Sequence, residues 1–250
     1  MPQDHATPSQ RPKLRLVATT TVPTRWGRFT CHAFEACEPN KAPQEHIALS
    51  VGEVVGTDEV LVRVHSECLT GDVFGSWRCD CGAQLHSAMD AIASMGTGVL
   101  VYLLGHEGRG IGIGHKMRAY ALQDQGRDTV EANLELGLPV DARSYAIGAA
   151  ILAELGVERV ALMTNNPAKQ NELAACGLHI VRRVPLETTP RAENLAYLRT
   201  KQQRLGHQMD QLEHQTDQPE QSDAQVGGGP LLGVVSDEQN SRSSNGLANP

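Results

Sequence analysis

Three cysteines, Cys68, Cys79 and Cys81, fall within fourteen residues, and they constrain the fold of this chain more than any other feature. They stand in Val64-His65-Ser66-Glu67-Cys68-Leu69-Thr70-Gly71-Asp72 and in Arg78-Cys79-Asp80-Cys81-Gly82. If the thiols serve together, the end of one element and the start of another must meet at one point. A structural zinc site closes with four protein ligands, whereas a catalytic one keeps three and leaves a position open. Three thiols therefore favour chemistry over a staple. Spacing alone leaves two other readings open. The thiols could be buried small hydrophobes, or His65 could complete a closed Cys3His site. A Cys-x-Cys pair is not the Cys-x-x-Cys of thiol–disulfide exchange.

Charge narrows the partners. The formal net charge is −7 over 250 residues, so general attraction to nucleic acid or to an anionic membrane is not expected, and any phosphate site must be local. No apolar run approaches the ~20 residues that span a bilayer. Met1-Pro2-Gln3-Asp4-His5 lacks a charged region followed by an apolar one, so no signal peptide is expected. Six cysteines in a chain this long do not suggest a disulfide scaffold, and thiols plus a metal fit the reducing cytoplasm.

The expected organisation is a polar, disordered extension over 1–13, one catalytic domain over 14–207, and a disordered tail over 208–250 rich in Gln, Ser, Asp, Asn and Gly. Leu61–His65 alternates like a strand leading into the cysteines. Leu85, Ala88, Met89 and Ile92 recur at helical spacing, and Val99–Leu103 reads as a buried strand. A loop with five glycines in ten residues, Gly105–Gly114, precedes a helix over Lys116–Gln125. Asp128 and Glu131 have the spacing of a capping box. A helix over Ser144–Leu155, a strand over Val160–Met163, a helix over Pro167–Cys176 and a strand over His179–Val184 follow. The last three make a βαβ unit, which implies parallel pairing. The fold class is α/β, mixed α+β, with strands and helices alternating.

The glycine loop frees the backbone to approach a ligand and carries Glu107 and Arg109, the latter able to bind phosphate through two N–H groups. It is neither a Walker A motif nor a dinucleotide fingerprint. In Thr164-Asn165-Asn166-Pro167-Ala168-Lys169 a helix opens at a strand's carboxyl end, a natural anion site to which Lys169 adds a charge. Asp141 reads as a helix cap close to Arg143, and Tyr120 is either core or a hydroxyl presented to a site.

These segments, with Arg118-Ala119-Tyr120-Ala121-Leu122-Gln123-Asp124, resemble GTP cyclohydrolase II over roughly residues 22–207. The resemblance implies a hydrolase that opens the guanine imidazole ring of GTP and releases formate and pyrophosphate. The product is 2,5-diamino-6-ribosylamino-4(3H)-pyrimidinone 5′-phosphate, the first intermediate of riboflavin synthesis. It implies Zn2+ on Cys68, Cys79 and Cys81, Mg2+ with the triphosphate, and a homodimer. It places GTP on Arg63, Val64, His65, Ser66, Glu67, Gln84, Glu107, Gly108, Arg109, Thr129, Thr164 and Lys169. Asp141 would be the proton acceptor, Arg143 the nucleophile at the α-phosphate, and Tyr120 a participant in the ring chemistry. A protonated guanidinium is a weak nucleophile, so stabilisation of phosphate charge is the other role open to Arg143.

The family commonly reads Tyr-Leu-Arg-Gln-Glu-Gly-Arg at the glycine loop, where this chain has Tyr102-Leu103-Leu104-Gly105-His106-Glu107-Gly108-Arg109. Gly114-His115-Lys116 likewise replaces a common Leu-Asn-Lys. The dihydroxybutanone phosphate synthase domain often fused in this pathway is not expected within these 250 residues. Two alternatives stand beside the main reading: a paralogue that stops at a formamidopyrimidine or serves a secondary-metabolite pathway, and a zinc-structured nucleotide-binding protein without turnover. Tyr120, Asp141 and Arg143 favour turnover.

Overall fold

The computed structural model describes residues 12–37, 42–209 and 212. The expected disordered extension lies almost wholly outside them, as does the expected tail beyond residue 212. Within the described residues the fold is mixed α/β, built on a seven-stranded sheet.

The first three strands are antiparallel: β1 (Lys13–Thr24), β2 (Gly27–Cys37) and β3 (Gln44–Val51). The sequence reading assigned no element here. β3 shows why: its alternation is inverted, with His46, Ala48 and Ser50 buried, while Leu49 and Val51 pack on the opposite face. A strand covered on both faces carries no clean apolar–polar alternation.

The rest of the chain alternates as expected. β4 (Val60–Ser66) precedes the short α1 (Leu69–Asp72), α2 (Cys81–Met95) and β5 (Gly98–Leu103). The one-turn α3 (Glu107–Gly110) leads to α4 (Ile113–Gln123), α5 (Thr129–Glu135) and α6 (Ala146–Glu154). Then come β6 (Arg159–Met163), α7 (Pro167–Ala175), β7 (His179–Val184) and α8 (Ala192–Leu205). The strand order is β1-β2-β3-β5-β4-β6-β7. β3 meets β5 antiparallel, and β4 pairs parallel with both β5 and β6. β6–α7–β7 is the expected parallel unit.

Period-two alternation along β4 divides the core and aims the site. Val60, Val62 and Val64 join Ile151, Leu152 and Leu173 on the face covered by α6 and α7. Leu61 faces the other way, with Met89 and Ile92 of α2. Arg63 and His65 share that second face, so polar groups replace apolar ones toward the strand's carboxyl end. Crevices at the carboxyl ends of parallel strands are where α/β folds bind ligands. α6 lies close on β4, because a Cβ on Gly148 would stand 3.0 Å from Val64 Cγ1.

Local signals hold at two helix starts. Asp128 Oδ1 accepts from Glu131 N at 2.8 Å while Glu131 Oε2 accepts from Asp128 N at 3.0 Å, closing the capping box of α5. Asn166 caps α7 through Ala168 N, with Pro167 in the first turn. Asp141 is not a helix cap. α6 starts only at Ala146, and Asp141 Oδ1 instead accepts from Arg143 N two residues on, at 3.1 Å. The pull of the Arg143 side chain explains the difference, since its Nε and Nη2 also bind this carboxylate.

Candidate active site

Cys68 ends the segment leaving β4, Cys79 lies in the turn before α2, and Cys81 opens α2. Their sulfur atoms all lie within 4.8 Å of one another, and no other such trio of Cys, His, Asp or Glu occurs among the described residues. Cys68 Sγ and Cys79 Sγ are 3.7 Å apart. Thiolates tetrahedrally disposed about zinc at ~2.3 Å would stand about 3.8 Å from one another, so the trio fits that ion. Gly71 makes the approach possible. A Cβ there would meet Cys79 Sγ at 2.9 Å, Cys81 Cβ at 3.1 Å and Cys68 Sγ at 3.2 Å.

The three thiols differ in acidity. Hydrogen bonds from Cys79 and Cys81, and then Lys116, hold the Cys68 thiol well below its ordinary range, against the cost of burial. The bond to Cys68 is the main reason that Cys79 is pushed up to about 11. Lys116 is buried on α4, and its ammonium reaches Cys68 Sγ at 3.1 Å, Thr70 Oγ1 at 2.8 Å and Glu107 Oε1 at 2.6 Å.

Asp72 organises the next layer. Its carboxylate binds His65 Nε2 at 3.0 and 3.1 Å and accepts from Tyr102 Oη at 2.7 Å and Cys68 N at 3.0 Å. The His65 ring stacks on Tyr102 with centroids 5.4 Å apart. Burial lowers the pKa of His65, with Asp72 opposing.

A second buried chain links the cysteine turn to β4 and α8. Lys201 Nζ donates to Asp80 Oδ1 at 2.6 Å, and Gln84 Nε2 donates to Asp80 Oδ2 at 2.7 Å. Gln84 Oε1 in turn accepts from Arg63 Nη2 at 2.7 Å. Lys169 is buried, with Nζ on the Val64 carbonyl at 2.8 Å. Burial, then Arg63 and Arg143, hold its pKa well below the ordinary value. Burial lowers Arg143, but Asp141 and the neighbouring tyrosines together leave its pKa raised. Burial and the charges of Arg143 and Lys169 push His106 down to about 3. The ring of Tyr145 gathers these groups: Lys169 Nζ lies 4.7 Å and the Arg143 guanidinium 5.6 Å from its centroid, with His106 edge-on.

The glycine loop turns through two left-handed residues, Gly108 at φ 59° and Arg109 at φ 63°. Only glycine adopts that conformation freely, so Arg109 carries backbone strain of about 1–3 kcal/mol. Its Nη1 and Nη2 are buried without a protein hydrogen bond, as are Arg63 Nε and His65 Nδ1. Buried donors without partners mark the place where a ligand is due.

One cavity is lined by all three cysteines and by Arg63, His65, Ser66, Glu67 and Gln84. Gly108, Arg109, Tyr120, Thr129, Arg143, Thr164 and Lys169 complete the expected set around it. Three expected residues do not line it. Val64 is buried and offers only its carbonyl, to Lys169. Glu107 is turned inward, with Oε2 on Leu69 N at 2.6 Å and Oε1 on Lys116. Asp141 stands behind Arg143, bound to it. The cavity also takes in Asn165 of the expected anion motif, and Lys116, Tyr197, Lys201 and His207, to which sequence reasoning gave no role. Nothing in the local sequence separates Lys116, Tyr197 and Lys201 from a solvated helix face.

The cavity stands within a region of clear kinship. The GTP cyclohydrolase II family model matches residues 15–185. A riboflavin biosynthesis protein RibBA from Mycobacteroides abscessus is 52% identical over 208 residues, covering 82% of this chain and 48% of that protein. The RibBA of Rhodococcus erythropolis is 55% identical over 197 residues, or 77% and 46% of the two chains. A probable bifunctional riboflavin biosynthesis protein RIBA 2, chloroplastic, from Oryza sativa subsp. japonica is 57% identical over 201 residues, or 79% and 36%. A solved two-domain 3,4-dihydroxy-2-butanone 4-phosphate synthase, RibBX from A. baumannii, overlaps with a TM-score of 0.43 at 21% identity, covering 71% of this chain and 41% of that one. An overlap of that quality carries no argument. The chain spans about half the length of the bacterial RibBA proteins it matches. With more than half of its residues inside the family model, the chain belongs to the GTP cyclohydrolase II family.

Proposed function

We propose that this chain hydrolyses GTP at C8 of the guanine ring, opening the imidazole and releasing formate and pyrophosphate, as the first step of riboflavin synthesis. One observation carries the reading: the three-cysteine cluster and the side chains of Arg63, Arg109, Arg143 and Lys169 line the same cavity. A thiol trio suited to a metal and a cationic wall suited to a triphosphate are what this reaction needs together. Names of the relatives point the same way.

Zinc held by Cys68, Cys79 and Cys81 would supply Lewis acidity, lowering the pKa of a water toward 7. The remaining roles fall to side chains. Arg109, with both terminal nitrogens free, takes phosphate oxygens in a two-pronged grip. Lys169, Thr164 and Thr129 extend that grip, and Mg2+ would accompany the triphosphate. Glu67 and Gln84 serve the guanine side, with Arg63, His65, Ser66 and Gly108. Asp141 holds Arg143 charged and in place at 2.5 Å, so Arg143 acts as an anion stabiliser; the proton-acceptor role of Asp141 rests on the family resemblance alone. Val64 and Glu107 support the site from behind: Val64 O anchors Lys169 and Glu107 anchors Lys116. Tyr120 lines the cavity with the cysteines, with Arg78 and Lys116 at 4.9 and 5.6 Å from its ring centroid, and is assigned to the ring chemistry. His106, on Ser66 Oγ at 3.1 Å, occupies the place where the loop departs from the common family pattern.

The unit is taken to be a homodimer of the reducing cytoplasm, on the strength of the family and of its thiols. The test is incubation of the purified protein with GTP, Zn2+ and Mg2+, measuring formate, pyrophosphate and pyrimidine product. Formate and deformylated diaminopyrimidine in equal amounts are expected. A retained formamido product would assign the chain to an arrested paralogue, and no turnover would leave it a nucleotide-binding protein.

A further inference from the structure

We propose that Lys116 is a positioning residue of the metal centre, and that its ammonium offsets the charge of the thiolate set through Cys68. The inference rests on reading the three cysteines as metal ligands. It goes beyond that reading by giving a role to a buried lysine on α4.

Lysine is almost never fully buried unless paired. Here the side chain is 9% exposed, and all three N–H donors have acceptors: Cys68 Sγ, Thr70 Oγ1 and Glu107 Oε1. Glu107 alone would satisfy an ion pair. The geometry adds a sulfur that is itself a candidate metal ligand. Glu107 is in turn fixed by Leu69 N and Gly108 N, so the ammonium is held from the glycine loop and pressed toward Cys68. A Cβ on Gly108 would lie 3.1 Å from Lys116 Cβ, so the loop also packs against the lysine stem.

Three thiolates on a divalent zinc ion carry a net charge of −1, which blunts its Lewis acidity. The ammonium brings metal, thiolates and lysine to zero, and Glu107 returns the whole cluster to −1, so Lys116 acts through its place on the Cys68 sulfur rather than through the net charge. An N–H bond on a thiolate also draws electron density away from the metal. Partners of this kind typically change metal affinity or activity about 10- to 100-fold when lost.

The test uses the full chain loaded with Co2+ in place of zinc. The parent protein should bind one equivalent and show thiolate-to-cobalt charge-transfer absorption that is absent in Cys79→Ser. Absence of that absorption in the parent would overturn the metal reading itself. With it present, Lys116→Met should move the band to lower energy, because Cys68 loses its N–H bond. In the zinc form, Lys116→Met should lower kcat by about 10- to 100-fold with little change in KM for GTP. A Lys116→Met spectrum coincident with that of the parent overturns the inference while leaving the metal reading intact. Should Lys116→Met fail to fold, Lys116→Gln keeps a donor without the charge. Its band should move part of the way, and coincidence with the parent again overturns the inference.

Discussion

Replacing Lys201 by methionine should destabilise the protein severely, although the residue lies beyond the matched family segment. Lys201 Nζ stands 2.6 Å from Asp80 Oδ1, and the two side chains are 9% and 2% exposed. Methionine keeps the stem and removes the charge, so Asp80 remains buried with Gln84 Nε2 as its one remaining side-chain hydrogen bond. Removing one partner of a buried ion pair costs about 3–5 kcal/mol. The nearby charge of Arg63 softens the loss, which places the expectation at the lower end, about 3 kcal/mol. For a domain of this size that corresponds to a drop in Tm of about 6–12 °C. Asp80 lies between Cys79 and Cys81, so metal retention should fall as well. Urea unfolding of the parent, Lys201→Met, Asp80→Asn and the double variant measures the coupling. The double variant should be more stable than Lys201→Met, since neutralising Asp80 removes the stranded charge. A loss below about 1 kcal/mol in Lys201→Met, with no recovery in the double variant, would refute the reasoning.

Three further outcomes are expected. Cys79→Ser should lose bound zinc and ring opening while Cys176→Ser keeps both, as metal analysis beside a formate assay would show; full zinc and activity in Cys79→Ser would remove the cysteines from the site. Gly71→Ala places a methyl 2.9 Å from Cys79 Sγ, so it should cost about 1–3 kcal/mol by overpacking and reduce zinc content. His106 is held from its ordinary 6.5 down to about 3, so the unfolded chain takes up that proton first as pH falls. Stability should therefore decline from about pH 6.5 downward, by about 1.4 kcal/mol per pH unit within that window. His106→Asn should flatten the decline in urea unfolding between pH 7 and pH 5, and an unchanged slope would show that the imidazole is not held neutral.

Some of this was legible in the residues because it depends on local chemistry. The Asp128–Glu131 capping box and the Asn166-Pro167 helix start need only neighbours within a few positions, while the cysteine spacing and the β6–α7–β7 unit are each confined to one short stretch of chain. The resemblance to GTP cyclohydrolase II supplied the rest of the expected cavity, and most of those residues do meet there. Three do not line it, and the reason is orientation. Glu107 and Arg109 are two residues apart, yet a left-handed turn through Gly108 and Arg109 sends the carboxylate inward to Lys116 while the guanidinium lines the cavity.

The sequence by itself determined which side chains are available, where the parallel unit forms, and that three thiols could share a metal. Only the tertiary structure decided which charges are buried and what they face. Lys116 and Lys201 look in sequence like cations on solvated helices. Packing of α4 and α8 against the cysteine turn buries both, and each then finds its partner on the elements that hold the thiols: Cys68 for one, Asp80 for the other. Periodicity could not find β1 or β3 either, because a strand's apolar pattern reports how its faces are covered: both faces of β3 are covered by distant parts of the chain, while β1 is exposed along most of its length. Burial and charge pairing are properties of elements brought together across 48 residues in one pair and 121 in the other, whereas caps and ligand spacing belong to nearer stretches of the chain.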